Sequence, residues 1–201
     1  MEPDVRAATV PGTTRRDLLR KAAIIGVGAG ALLTAGAVTA SPAFADYQYN
    51  WRFCRDCKGM VFGSGGRCAD TRHTAHNITG SWDYTFVYGV SGGGVPDYQP
   101  LWKKCGDCNA LFYTDGYRQN GWCPIGDRKY AHDSYNSATN YSLYFGPIKQ
   151  TQDDWRFCRN CFGLFFNPWR STSVCPAFAR GSFTPHDGTN SFNYQMQART
   201  S

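Results

Sequence analysis

Nine cysteines and four histidines are the residues of this 201-residue chain best suited to ligate a soft metal, to form disulfides or to act as nucleophiles. They recur in a fixed order. Cys54-x-x-Cys57, Cys105-x-x-Cys108 and Cys158-x-x-Cys161 each stand three residues after a tryptophan: Trp51, Trp102 and Trp155. A further cysteine follows each pair, at Cys68, Cys123 and Cys175, and the last two precede a proline. A histidine closes each series: His76, His132 and His186. His73 competes with His76 for the first place. In every copy, however, a serine lies five residues after the chosen histidine (Ser81, Ser137, Ser191), and a tyrosine lies eight or nine after it (Tyr84, Tyr141, Tyr194). His73 meets neither condition.

Three sets of three cysteines and one histidine are the ligand type and number of a structural zinc site. A C-x-x-C turn sets two sulfurs on one side of a tight knuckle, and the later Cys and His can complete a tetrahedron. Disulfides are the rival expectation for an exported, cysteine-rich chain. Three cysteines per copy would leave one odd thiol in each, or one overall if pairs cross between copies; a C-x-x-C disulfide is typically redox-active, and neither arrangement gives the histidine a role. The spacing therefore favours three structural zinc ions. Four protein ligands leave no coordination position for substrate, so the expected metals are not catalytic.

Other catalytic signals are weak. Gly89-Val90-Ser91-Gly92-Gly93 fits the G-x-S-x-G string, but a nucleophile elbow needs a helix after it. Glycines and Val95-Pro96 follow instead. The chain has neither H-E-x-x-H nor a phosphate-binding glycine loop with its lysine. No enzymatic activity is expected; an extracellular hydrolase or redox enzyme is the least favoured class.

The elements that must position these ligands are strands. Residues 46–201 hold 30 aromatic side chains against fourteen Leu, Ile, Val and Met, with a net charge of +4. So many aromatics exclude disorder, and so few aliphatics exclude a large aliphatic-cored α/β enzyme. A unit of about 50 residues with that composition needs a staple to offset its chain entropy, and structural zinc can contribute on the order of 10 kcal/mol. Alternating runs such as Ser81–Tyr88 and Tyr141–Phe145 close each copy and read as β. The expected fold is all-β: three short β repeats, over 46–89, 97–146 and 150–201, each stapled by a Cys3His site. They would be arranged with pseudo-threefold symmetry or as beads on a string, with a β-trefoil as the compact alternative. Segments 89–100 and 146–154 read as linkers.

Trp51, Trp102 and Trp155, at one fixed offset, are expected to pack over the metal sites in the core. The aromatics outside the repeat, Trp82, Tyr98, Tyr117, Trp122, Tyr135 and Trp169, are the candidate partner-binding residues, since Tyr and Trp are enriched at binding hot spots.

Residues 1–45 read as a targeting peptide. Thr14-Arg15-Arg16-Asp17-Leu18-Leu19 resembles the twin-arginine export consensus; an uncharged Ala/Gly-rich stretch, Ala22–Ala40, and a small-x-small site at Ala43-Phe44-Ala45 follow. That resemblance implies export of an already folded, metal-loaded chain, leaving no membrane span after cleavage. The W-R-F-C-x-x-C-x-G-[ML]-x-F block with its later Cys and H-x-x-x-x-S resembles, over about residues 47–197, a tandem module of secreted proteins from actinomycete-type bacteria. The resemblance implies secretion and carries over no catalytic residue. The expected function is a secreted, non-catalytic adaptor holding a protein partner in an extracellular assembly, such as a toxin or envelope complex. The alternative is a carbohydrate- or cell-wall-binding module. Export and the absence of a concentrated basic run argue against nucleic acid.

Overall fold

Each W-x-F-C block lies at the end of a strand that carries alternate side chains inward. In β1 (Asp46–Phe53) Trp51 and Phe53 are buried and Arg52 between them is half-buried, the period-two pattern of a strand with one face on a core. The chain is described by a computed structural model over residues 46–89, 96–114, 120–125, 131–134, 139–147, 149–178 and 183–199. After the Cys-x-x-Cys turn, β2 (Met60–Phe62) pairs back antiparallel on β1, and β3 (Asp83–Tyr88) pairs on its other side. The second copy builds β4 (Tyr98–Lys104), β5 (Leu111–Tyr113) and β6 (Tyr141–Tyr144). The third builds β7 (Gln152–Phe157), β8 (Leu164–Phe166) and β9 (Tyr194–Arg199). A 3-10 helix, Asn167–Thr172, is the one helix among the described residues, and none is long and apolar enough to cross a membrane.

The pairing register is the same each time. Trp51 faces Phe62 and Tyr84, Trp102 faces Tyr113 and Tyr141, and Trp155 faces Phe166 and Tyr194. Before each tryptophan the long strand breaks register, and the residue preceding the tryptophan takes a left-handed backbone: Asn50 at φ 70°, Leu101 at φ 71°, Asp154 at φ 67°. Such a bulge bends the strand and raises its twist.

Strands also pair between copies. β3 pairs with β6 and β9, and β6 pairs with β9, so the third strands of the three copies bond to one another. The second strands touch in a cycle through single bridges, Val61 to Ala110, Phe112 to Gly163 and Phe165 to Gly59. The result is an all-β, nearly closed antiparallel sheet in which strands from the three segments pair with one another, so the segments are not beads on a string.

Its core is aromatic. Trp51, Trp102 and Trp155 are wholly buried beside Tyr84, Tyr141 and Tyr194. The tryptophan of each copy packs edge-on against the tyrosine of another: Trp51 on Tyr141 at 5.1 Å, Trp102 on Tyr194 at 5.3 Å, Trp155 on Tyr84 at 5.5 Å between ring centres. Edge-to-face contact at this separation is a favoured geometry for aromatic pairs. The tryptophans thus join the shared central core, whereas the cysteine sets pack with Val61, Phe112 and Phe165. The expected linkers are also shorter: β4 starts at Tyr98 and β7 at Gln152. The strand halves ahead of the bulge are held by cross-strand pairs such as Tyr98 with Tyr144, which composition does not reveal.

Candidate metal centres

Each Cys-x-x-Cys knuckle is the same hydrogen-bonded turn. The amide of Cys54 donates to the carbonyl of Gly59 at 2.9 Å, and the amide of Lys58 returns to the carbonyl of Cys54 at 2.9 Å. Cys105 with Ala110 and Asn109, and Cys158 with Gly163 and Phe162, repeat both bonds. The residue after the second cysteine takes a left-handed backbone in every copy: Lys58, Asn109 and Phe162. The histidine segment is docked on the knuckle by backbone bonds from Arg55 to Asn77, Gly106 to Asp133 and Arg159 to Asp187. The recurring serine has a structural part: Ser81 and Ser191 accept the amides of Phe53 and Phe157, each at 2.7 Å. Ser137 lies outside the described residues.

These turns bring together Cys54, Cys57, Cys68 and His76; Cys105, Cys108, Cys123 and His132; and Cys158, Cys161, Cys175 and His186. All twelve are buried, and the ligand atoms of each set lie within 4.8 Å of one another. His73 stays out, its side chain 47% exposed and 3.6 Å from Asp56. The first and third cysteines stand 3.8, 3.9 and 3.8 Å apart in the three sets, and the second cysteine lies 3.9, 3.4 and 3.4 Å from the histidine Nδ1. A tetrahedron with metal–sulfur bonds of about 2.3 Å and metal–nitrogen bonds of about 2.0–2.1 Å has edges of about 3.8 Å between sulfurs and about 3.6 Å from sulfur to nitrogen. The nine thiols are all free. The sets are three buried Cys3His groups able to hold a metal ion.

The electrostatics fit a cation. Hydrogen bonds from the second and third cysteines pull Cys54, Cys105 and Cys158 far below the ordinary thiol range. Their neighbours are displaced upward, Cys57 first by its bond to Cys54, Cys108 and Cys161 first by burial. Cys123 is pushed up to about 12, first by its bond to Cys105. Burial pulls His76 down, but hydrogen bonds to Cys54 and Cys68 more than offset it and raise the imidazole to about 10. Three thiols packed this closely cannot all ionise without a positive charge among them; a divalent ion supplies it and releases their protons. Around the first cysteines, the amides of Asp133 and Asp187 donate to Cys105 and Cys158 sulfur at 3.3 and 3.4 Å. Phe112 stacks on His132 and Phe165 on His186, at 4.7 and 4.8 Å. Such outer contacts fix ligand orientation.

The three sets are not independent. His76 Nε2 lies 2.9 Å from the carbonyl of Cys108, a ligand of the next set. A cavity of about 30 Å³ is lined by Cys57, Cys161, His76, His132 and His186, so ligands of all three sets border one space. Gly66 and Gly121, at φ 80° and 65°, lie so close to the Cys108 and Cys161 carbonyls that a Cβ would stand 2.3 and 2.0 Å from the oxygens. Only glycine fits there.

Not every candidate surface residue is free. Trp122 is half-buried against the third cysteine set. Tyr98 is half-buried in β4, 5.1 Å from Tyr144. Trp82 and Trp169 are exposed, at 45% and 47%. Tyr117, Tyr135, Ser91 and residues 1–45 lie outside the described residues. Sequence reading missed Gln48, Gln99 and Gln152, which accept the hydroxyls of Tyr141, Tyr194 and Tyr84, each from another copy. Their signal was present: a glutamine stands three residues before every repeat tryptophan.

Fold and site together define a class, an all-β protein clamped by buried Cys3His sets. No family model, curated protein or solved structure matches the chain.

Proposed function

We propose that this chain is a secreted, non-catalytic binding protein whose three copies are each clamped by a structural zinc ion and which holds a partner in an extracellular assembly. One observation carries the reading: each buried set offers four protein ligands at tetrahedral zinc spacing, which leaves no position for substrate. Thiolate with imidazole suits zinc over the harder divalent cations. Zinc held this way contributes folding energy and no reactivity. The twin-arginine-like leader supports export of a chain whose thiols meet metal before an oxidant. The exposed Trp82 and Trp169 supply rigid contact area on the clamped scaffold.

Native mass spectrometry of protein from the secreted fraction tests the metal. Three zinc ions per chain with unmodified thiol mass are expected; a deficit of several hydrogens without metal overturns the reading. Co-purification of a defined partner from culture fluid tests the binding role, and turnover of any substrate by the zinc-loaded protein would contradict it. The carbohydrate-binding reading is favoured by one feature of the surface, the setting of Trp169.

A further inference from the structure

A shallow depression of about 590 Å³ opens between the first Cys-x-x-Cys knuckle and the 3-10 helix of the third copy. It is lined by Arg55, Asp56, Lys58, Asn77, Trp169 and Thr172. Both walls hang on metal centres. Arg55 and Asp56 are the two residues between ligands Cys54 and Cys57, and Lys58 follows. On the other wall, Arg170 donates from Nε to the carbonyl of ligand His186 at 3.0 Å. The amide of His186 donates to Ser173 Oγ at 2.9 Å, and that hydroxyl donates to the carbonyl of Arg170 at 2.7 Å. The walls are joined by the amide of Phe166 bonding the carbonyl of Lys58 at 2.9 Å.

Trp169 is held at a fixed angle. Phe53 and Phe166 meet its ring edge-on at 5.1 and 5.7 Å, while the residue stays 47% exposed. Lys58 Nζ sits 5.9 Å from the ring centre and donates to the carbonyl of Arg55. Asp56 is oriented by Asn77, whose Nδ2 donates to it at 3.3 Å, and by His73 at 3.6 Å. The exposed Arg55 guanidinium has no hydrogen bond or ion pair among the described residues, although its own carbonyl and amide are engaged.

From this setting we infer an acidic-saccharide site: the CH face of a pyranose ring lies on Trp169, its hydroxyls meet Lys58 and Thr172, and its carboxylate meets the Arg55 fork. All six lining side chains carry a hydrogen-bonding atom and none is aliphatic, which suits a hydroxyl-rich ring better than an apolar peptide side chain. The one aromatic face supplies the apolar surface a sugar needs, and a bare anion has no use for it. Two cations against one carboxylate select a negative charge, and the planar guanidinium matches a carboxylate in two bonds. A single lining carboxylate is not the pair that glycoside hydrolysis uses, so the sugar is bound and not cleaved.

This inference rests on the carbohydrate-binding reading and names the class of sugar. Calorimetric titration of the zinc-loaded mature protein uses the β-1,4-linked glucuronate tetramer as probe, with cellotetraose as the neutral isostere. The acidic tetramer is expected to bind at least roughly tenfold more tightly than the neutral one, with affinity falling as salt rises. Trp169→Ala and Arg55→Gln each weaken it by roughly tenfold, while Ile125→Ala, away from the depression, leaves it unchanged. Arg55 and Ile125 are exposed, so their variants are read on a folded chain, and zinc content checks the fold of Trp169→Ala. No binding of the acidic tetramer, equal binding of the neutral one, or an unaltered Trp169→Ala titration each overturns the site. Zinc stoichiometry and partner capture, measured on the same samples, show whether the binding-protein reading survives.

Discussion

Leu101 illustrates how a side chain can be tolerated against its own preference. It occupies the bulge ahead of Trp102 at φ 71°, where the first copy has Asn50 and the third Asp154. Left-handed backbone costs a branched residue about 1–3 kcal/mol, and Asn or Asp bears it with less strain. Leu101 is 36% exposed, so little packing is lost on replacement. Leu101→Asn is therefore expected to raise stability by about 1 kcal/mol, read as a higher melting temperature; an unchanged or lower one would count against a strained bulge. Tyr141 carries a second prediction. Burial raises its hydroxyl from 10.0 to about 12, and burial moves Tyr84 and Tyr194 the same way. Because the folded value lies above the unfolded one, the stabilisation is whole below about pH 10 and is lost as pH rises through about 12. Denaturant midpoints should fall steeply across that window and less so in Tyr141→Phe.

At the scale of elements, the loop carrying each third cysteine decides whether neighbouring copies close on one another. The Gly121 loop approaches the second cysteine of the next knuckle so closely that the amide of Trp122 bonds the carbonyl of Cys161 at 3.2 Å. A methyl group at Gly121 meets backbone, not a movable side chain, and the positive φ adds strain. Gly121→Ala is expected to cost on the order of 3 kcal/mol or more, measured by chemical denaturation of both proteins at matched metal content. A loss below about 1 kcal/mol would mean the loop relaxes freely.

For the whole molecule, cyclic contact makes the copies one cooperative body. The bridges, the tyrosine–glutamine bonds and the tryptophan–tyrosine pairs all run from one copy to another, and the metal ligands border one common cavity. Removing one ion should therefore unsettle the neighbouring knuckles. Chelator titration is expected to release all metal in a single transition that coincides with loss of β signal; three separate release steps would show that the copies fold alone.

Much was legible in the residues themselves. The Cys-x-x-Cys spacing, the third cysteine and the histidine chosen by its following serine already sort twelve ligands into three sets, because coordination chemistry demands specific atoms at short range. Aromatic alternation pointed to strands for the same local reason. The closure of the copies on one another was not legible, because the contacts between Tyr141 and Gln48, Val61 and Ala110, or Phe166 and Lys58 join residues far apart along the chain. Nor was the place of the repeat tryptophans in a shared core, or the meeting of Trp169 with a knuckle more than a hundred residues earlier. Periodicity reports which face of a strand is buried; what that face is buried against is settled only when the chain folds back on itself.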